Sequence, residues 1–245
     1  MKISRVTGII DRRILVNYHI DPEILAPLLP YPFKPKVING YAIAGVCLIR
    51  LKKVRPKSFP FSIGISSENA AHRFAVEWID KGQVQEGVYI PRRDTNSLLN
   101  SLAGGRIFPG IHYYAKFSVD ETDTQFSVSM KSRDKTTSIA VKGTVTNAIH
   151  DNSIFDSLQS ASDFFEAGSL GYSQTKDLTK FDGLELNCKN WHVFSLNTSS
   201  VESSFFDDPI KFPSGSIHFD SALLMRGIIH DWNSRESLCC QTDLD

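Results

Sequence analysis

The stretches IHYYAKFSV (residues 111–119), QFSVSMKS (125–132) and TSIAVKGTV (137–145) decide the fold class. They are separated by DETDT and RDKT, linkers of turn length and turn composition. In the middle segment Phe126, Val128 and Met130 alternate with Gln125, Ser127, Ser129 and Lys131. A period of two places one face in a core and the other in water or a lumen. Three such runs in succession read as a meander of antiparallel strands.

The flanking sequence extends this pattern. ILVNYHI (14–20) is short, apolar and β-rich, and YAIAGVCLIRL (41–51) is apolar on both faces, as a strand buried on both sides is. FAVEWID (74–80) and VQEGVYI (84–90) flank KGQ, a hairpin signal. LELNCKNWHVFSL (184–196) reads as one more strand, and FDSALLMRGIIHDW (219–232) fits a buried strand or a buried helix.

Helices are few. Asp21 is placed to cap a turn begun by Pro22 and limited by Pro27. In RRDTNSLLNSLAGG (92–105), Asp94 or Thr95 is expected to cap a short helix with Leu98, Leu99 and Leu102 on one face and Gly104 at its end, and for Asp94 a cap is preferred to a role at a site. SIFDSLQSASDFFEAG (153–168) is the longest helix, with an apolar stripe from Ile154 to Phe165 and Gly168 at its C-cap. The expectation is a mainly β chain with α+β elements: a single domain over 1–245, closed into an antiparallel barrel that removes exposed edges, with one longer helix and one or two short ones.

Composition narrows the function classes. Lys plus Arg equals Asp plus Glu at 27 each, and a neutral chain has no electrostatic pull toward nucleic acid or anionic lipid. No apolar run approaches the roughly 18 residues that span a bilayer, and MKISRVTGIIDRR lacks a signal-peptide core, so a cytoplasmic location is expected, with no nucleic-acid or membrane partner. Four cysteines without a CxxC pair, and seven dispersed histidines, point to free thiols and to no metal or other cofactor.

Candidate chemistry concentrates in SSENAAHRFAVEW (66–78). In an extended chain Glu68, Ala70, His72, Phe74, Val76 and Trp78 share a face, with Arg73 and Glu77 opposite. A carboxyl group and an imidazole on an apolar face are either a buried structural pair or an acid–base pair in a cavity. Arg92 and Arg93 suit a carboxylate ligand or internal ion pairs, and of Arg12 and Arg13 either one points inward and the other outward or, the commoner outcome, both are solvated. On the strand opened by GGRIFPG, His112, Tyr114 and Lys116 share one face and Tyr113 lies on the other; tyrosine hydroxyls there either orient a ligand or are wet tips of core side chains.

NYHIDPEILAPLLPYPFKP, NGYAIAGVCLIRLKKVRP, SSENAAHRFAVEW, EGVYIPRRDTNSLLNSLAGGRIFPG, GSLGYS and SSFFDDPIKFPSGSIHFDSALLMR carry a resemblance over nearly the whole chain to the YqjF-like uncharacterised bacterial proteins. Over about the first 145 residues the chain is also distantly similar to acetoacetate decarboxylase. That resemblance implies a β-cone, a double-layered barrel around a ligand cavity. In the decarboxylase a lysine forms a Schiff base with a β-keto acid, a second lysine lowers its pKa, and an arginine and two glutamates line the cavity. The matching Gly-Arg falls on Gly105-Arg106, the lysine positions on Tyr113 and Tyr114, one glutamate on Glu68, and the arginine on Arg12 or Arg13. A phenol cannot condense to an iminium, so Schiff-base chemistry is not expected. Lys116, the nearest amine, lies three residues on and faces the other way from Tyr113.

The resulting expectation is an acetoacetate-decarboxylase-like protein that takes a small oxo- or carboxylic acid. As a non-covalent, lyase-like acid–base enzyme it would use Glu68 and His72 as the acid–base pair and Tyr113 as oxyanion donor. Arg106, with Arg92 or Arg93, would hold the carboxylate, and Arg13, His112 and Tyr114 would line the site. The alternatives are a small-molecule receptor without turnover and an internal ion-pair network with no cavity. A homo-oligomer is compatible with the resemblance.

Overall fold

The computed structural model describes residues 5–58, 64–103, 109–177 and 179–239. Among them thirteen strands join one sheet: β1 (Arg5–Ile20), β2 (Lys34–Pro35), β3 (Val37–Ile38), β4 (Tyr41–Pro56), β5 (Ile65–Asp80), β6 (Gln83–Thr95), β7 (His112–Glu121), β8 (Gln125–Ser132), β9 (Ser138–Thr146), β10 (Leu170–Gln174), β11 (Lys180–Cys188), β12 (Phe194–Ser203) and β13 (Ile217–Cys239). Three helices accompany them: α1 (Pro22–Leu25), α2 (Leu98–Ala103) and α3 (Leu158–Ala167).

The sheet closes on itself twice. One path runs β6–β7–β8–β9–β12–β13–β1–β4–β5 and back to β6; the other leaves β6 through β10 and β11 and rejoins at β13. Long strands make this possible by changing partner along their length. The first part of β13 pairs with β12 at Leu223 and Leu224, and its later part with β11 from His230 to Cys239. Likewise β6 pairs with β10 at Val88 and Tyr89 and with β7 from Arg93 to Thr95, both in parallel, while the other pairings are antiparallel. The double layer is therefore a mixed sheet.

The strands β1, β4 and β5 form a wall common to both circuits, which explains why every residue of β4 from Ala42 to Ile49 is buried. Two cores occupy its two faces. One holds Ile14, Val16, Leu48, Phe74 and Val76 with Phe126, Val128, Met130, Ile139 and Val141, the inward face of the meander. The other holds Leu15, Ile43, Cys47, Ile49 and Ala75 under Phe155, Ala161 and Phe165 of the α3 segment. The β5–β6 hairpin turns through Lys81 and Gly82, both at positive φ (49° and 77°), the geometry a right-twisted two-residue turn requires.

Local chemistry shifts several boundaries. The helix expected from Ser153 begins at Leu158, because Ser153 Oγ and the Ile154 N–H both donate to Asp220, at 2.9 and 2.8 Å. Ser157 caps α3 instead, in a reciprocal box with Ser160. Asp94 does not cap α2: β6 continues to Thr95, and Ser97 Oγ accepts the Asn100 N–H. Leu98, Leu99 and Leu102 are exposed, and Gly104 lies outside the described residues. The run 184–196 is two strands, β11 and β12, interrupted where Trp191 turns to donate its indole N–H to Ser162 Oγ on α3 at 3.0 Å. Residues 219–232 lie within β13.

Candidate functional site

On the α3 side of the wall lies a cavity of about 120 Å3. That is on the order of eight to ten water-sized volumes, enough for a small organic acid. Its apolar lining includes Phe164 and Phe165 of α3, Leu184 and Leu186 of β11, and Trp232 of β13. Successive strands contribute its polar side chains: Arg13 from β1, Cys47 from β4, Asn69 and Arg73 from β5, Arg93 from β6 and His112 from β7.

Three guanidiniums dominate this surface. Arg73 is 4% exposed. Its Nη2 donates to Asn17 Oδ1 at 2.5 Å, its guanidinium lies 4.7 Å from the Phe165 ring centre, and its Nε has no partner. Gly45 makes room for it: a Cβ there would stand 2.5 Å from the Val16 carbonyl oxygen and 3.3 Å from Arg73 Nη2. Burial pushes the Arg73 guanidinium down to about 10, with Cys47 opposing and Arg13 adding to the shift. Arg93 donates from Nε to Ser173 Oγ at 3.0 Å, and burial pushes it to about 10 as well. Arg13 donates from Nε to Cys47 Sγ at 3.2 Å and lies 5.7 Å from the Trp191 ring centre. Among the described residues none of the three has a carboxylate partner; their acceptors are an amide, a hydroxyl and sulfur. Arg73 and Arg93 nonetheless stay charged near neutral pH, and a buried charge without a counter-charge is costly.

His112 stands beside Arg93 in the paired strands. Its Nδ1 is 3.3 Å from the Gly110 carbonyl, which only accepts, so Nδ1 carries the hydrogen and Nε2 the lone pair. Burial, then Arg93, push His112 down to about 3 against that hydrogen bond, leaving it neutral near pH 7. Lys36 also lines the cavity, with its ammonium paired to Glu86 and 4.6 Å from the Phe164 ring centre.

Of the residues expected at a site, the cavity is lined by Arg13, Arg93 and His112, and not by Glu68, His72, Tyr113, Tyr114 or Arg92. Glu68 faces the other side of the wall. There Arg12, 1% exposed, reaches Glu68 and Glu121 at 2.5 and 2.8 Å, and Arg50 reaches the same two carboxylates at 2.5 Å each. Two guanidiniums and two carboxylates thus form a network, which Asp11 extends at 3.6 Å from Arg50. His72 is fully buried with neither ring nitrogen hydrogen-bonded, against Phe205 (4.5 Å between ring centres) and Phe206 (5.9 Å). Burial, then Arg92 and Lys211, push it down to about 3. Arg92 is held by both oxygens of Asp94 and by Asp134, and its guanidinium covers the ring of Tyr113 at 4.1 Å, which is 38% exposed. Lys116 is exposed on β7, and Arg106 lies outside the described residues.

Arg73 and Cys47 also line the cavity, and neither was singled out from the sequence. The available signal was an arginine inside AAHRFAVEW, a strand buried on both faces, where any charge has to face a partner or a cavity. Among the described residues no three His, Cys, Asp or Glu side chains converge as a metal site would, and no helix is long and apolar enough to cross a membrane.

The structure is similar to an acetoacetate decarboxylase from Legionella pneumophila, with a TM-score of 0.56 and 13% identity over 95% of this chain and 87% of that one. It is similar also to an acetoacetate decarboxylase-like enzyme from Sphingomonas wittichii RW1, with a TM-score of 0.59 and 14% identity over 97% and 95%. The enduracididine biosynthesis enzyme MppR complexed with pyruvate gives a TM-score of 0.55 and 11% identity over 97% and 90%. At these identities the likeness is one of fold. No curated protein matches the chain. The model of the family described as an uncharacterized conserved protein (COG2071) matches residues 10–215. With most of its length matched, the chain belongs to this family, DUF2071, and its fold is acetoacetate decarboxylase-like.

Proposed function

We propose that the cavity binds a small organic anion, an oxo- or carboxylic acid, through Arg13, Arg73 and Arg93. One observation carries this reading: among the described residues, three guanidiniums line one small cavity with neutral acceptors only, whereas Arg12, Arg50 and Arg92 elsewhere each hold carboxylates. A ligand carboxylate supplies the missing counter-charge and takes guanidinium hydrogens two at a time. Charge-assisted hydrogen bonds contribute roughly 1.5–3 kcal/mol each, so two or three bring a small acid into the millimolar to micromolar range. Pyruvate, bound in MppR, is a suitable first probe.

The acid–base role passes from the Glu68–His72 pair to His112, whose neutral ring lines the same cavity. Schiff-base formation is not part of this reading: Tyr113 faces away, and the Lys36 ammonium is engaged in an ion pair with Glu86. A receptor without turnover is the second reading. It is favoured by the state of Asp94, the carboxylate among the described lining residues, which Arg92 already holds with both oxygens. Calorimetric titration with pyruvate and with its neutral amide, pyruvamide, tests the proposal. Binding of the acid alone is expected; equal binding of both, or of neither, overturns it.

A further inference from the structure

The Cys47 thiol lines the same cavity as Arg13, Arg73 and Arg93. It accepts the Arg13 Nε hydrogen at 3.2 Å. A lone buried cysteine in an apolar strand is ordinarily an inert core residue. A second observation sets this one apart: Arg73, 4% exposed and lining the same cavity, has an Nε hydrogen with no acceptor. A guanidinium donor on the sulfur and a place in the cavity wall set the thiol within reach of a bound ligand.

Resting on the anion-binding reading above, we propose that Cys47 is the cavity's nucleophile and adds reversibly to the carbonyl of an oxo acid whose carboxylate the arginines hold. In this step a sulfur–carbon bond forms and the carbonyl π bond breaks. Its electron pair moves to the oxygen, and the thiol hydrogen ends on that oxygen. The product is a hemithioketal, with no change of oxidation state and no co-reactant. The addition distinguishes oxo acids from plain carboxylic acids of the same size, which the arginines alone do not.

The test alkylates the full-length protein with limiting iodoacetate or iodoacetamide and quantifies each cysteine by peptide mass spectrometry. The iodoacetate-to-iodoacetamide ratio at Cys47 is expected to exceed that at the exposed Cys239 by about tenfold or more, the effect of one charge-assisted hydrogen bond. Pyruvate should protect Cys47. Carbon-13 NMR of pyruvate labelled at its carbonyl should show a protein-bound tetrahedral carbon that Cys47→Ala loses. An inert Cys47, an unbiased ratio, or bound pyruvate whose carbonyl stays trigonal overturns the proposal. If pyruvate still binds in that case, the arginine reading stands without the cysteine; if it does not bind, both fall.

Discussion

Replacing Arg73 with methionine separates a ligand-seeking cation from a structural one. A guanidinium depressed from 12.5 to about 10 opposes folding by about 3 kcal/mol at neutral pH. The sign follows from linkage. Between pH 10 and 12.5 the unfolded chain holds the proton that the folded one has lost, so the penalty is full below pH 10 and fades above it. Methionine removes that penalty and keeps most of the apolar stem. It also removes the charge-assisted bond to the buried Asn17 Oδ1, roughly 1.5–3 kcal/mol, and the contact with the Phe165 ring, about 1 kcal/mol. The gain and the losses nearly cancel, so the ligand-free variant should stay within about 1 kcal/mol of the wild type, a change of no more than roughly 2–4 °C in a chain of this size. With pyruvate at about one hundred times Kd, the wild type gains about 2.7 kcal/mol, roughly 5–10 °C. Losing a buried charged contact weakens binding by about 2 kcal/mol or more, so the variant should keep under about a third of that shift. Thermal melts with and without pyruvate measure both effects. A variant destabilised by about 2 kcal/mol or more that retains the full pyruvate shift would refute the reasoning.

Further substitutions probe the residues placed away from the cavity. Glu68→Gln leaves the buried Arg12 with Glu121 as its remaining carboxylate, and should cost about 3 kcal/mol in urea unfolding while the pyruvate shift persists. His72→Phe removes two unpartnered ring nitrogens from an aromatic setting. Because the folded-state value is near 3 and the ordinary value 6.5, the wild type loses stability through His72 as pH falls from 6.5 toward 3, by about 1.4 kcal/mol per unit. The variant's stability-versus-pH slope should be shallower by that amount, and an unchanged slope counts against a buried neutral imidazole. Tyr113→Phe, on a ring that faces away from the cavity, should alter stability by no more than about 0.5 kcal/mol and leave pyruvate binding as it was, as titration will show.

The mainly β architecture was legible because the meander's period of two and the double-sided burial of residues 41–51 are written residue by residue. The parallel contacts of β6 were not, since they arise from long-range closure that no local pattern encodes. The cavity was legible in its segments but not in its phase. Arg13, Arg93 and His112 line the cavity, whereas their neighbours Arg12, Arg92 and Tyr113 do not. A strand buried on both faces gives no polar alternation from which to choose a side, and a one-residue slip exchanges every side chain between the two. That ambiguity also put weight on Glu68 and His72 when Arg73, between His72 and Phe74, held the cavity face.

A crystal structure of the protein grown with pyruvate tests the central claim most directly. The account places the ligand carboxylate within hydrogen-bonding distance of the guanidiniums of Arg13, Arg73 and Arg93, under Phe165. Pyruvate bound beside Glu68 and His72 instead, or a cavity closed by a carboxylate of the chain itself on those three arginines, would contradict it.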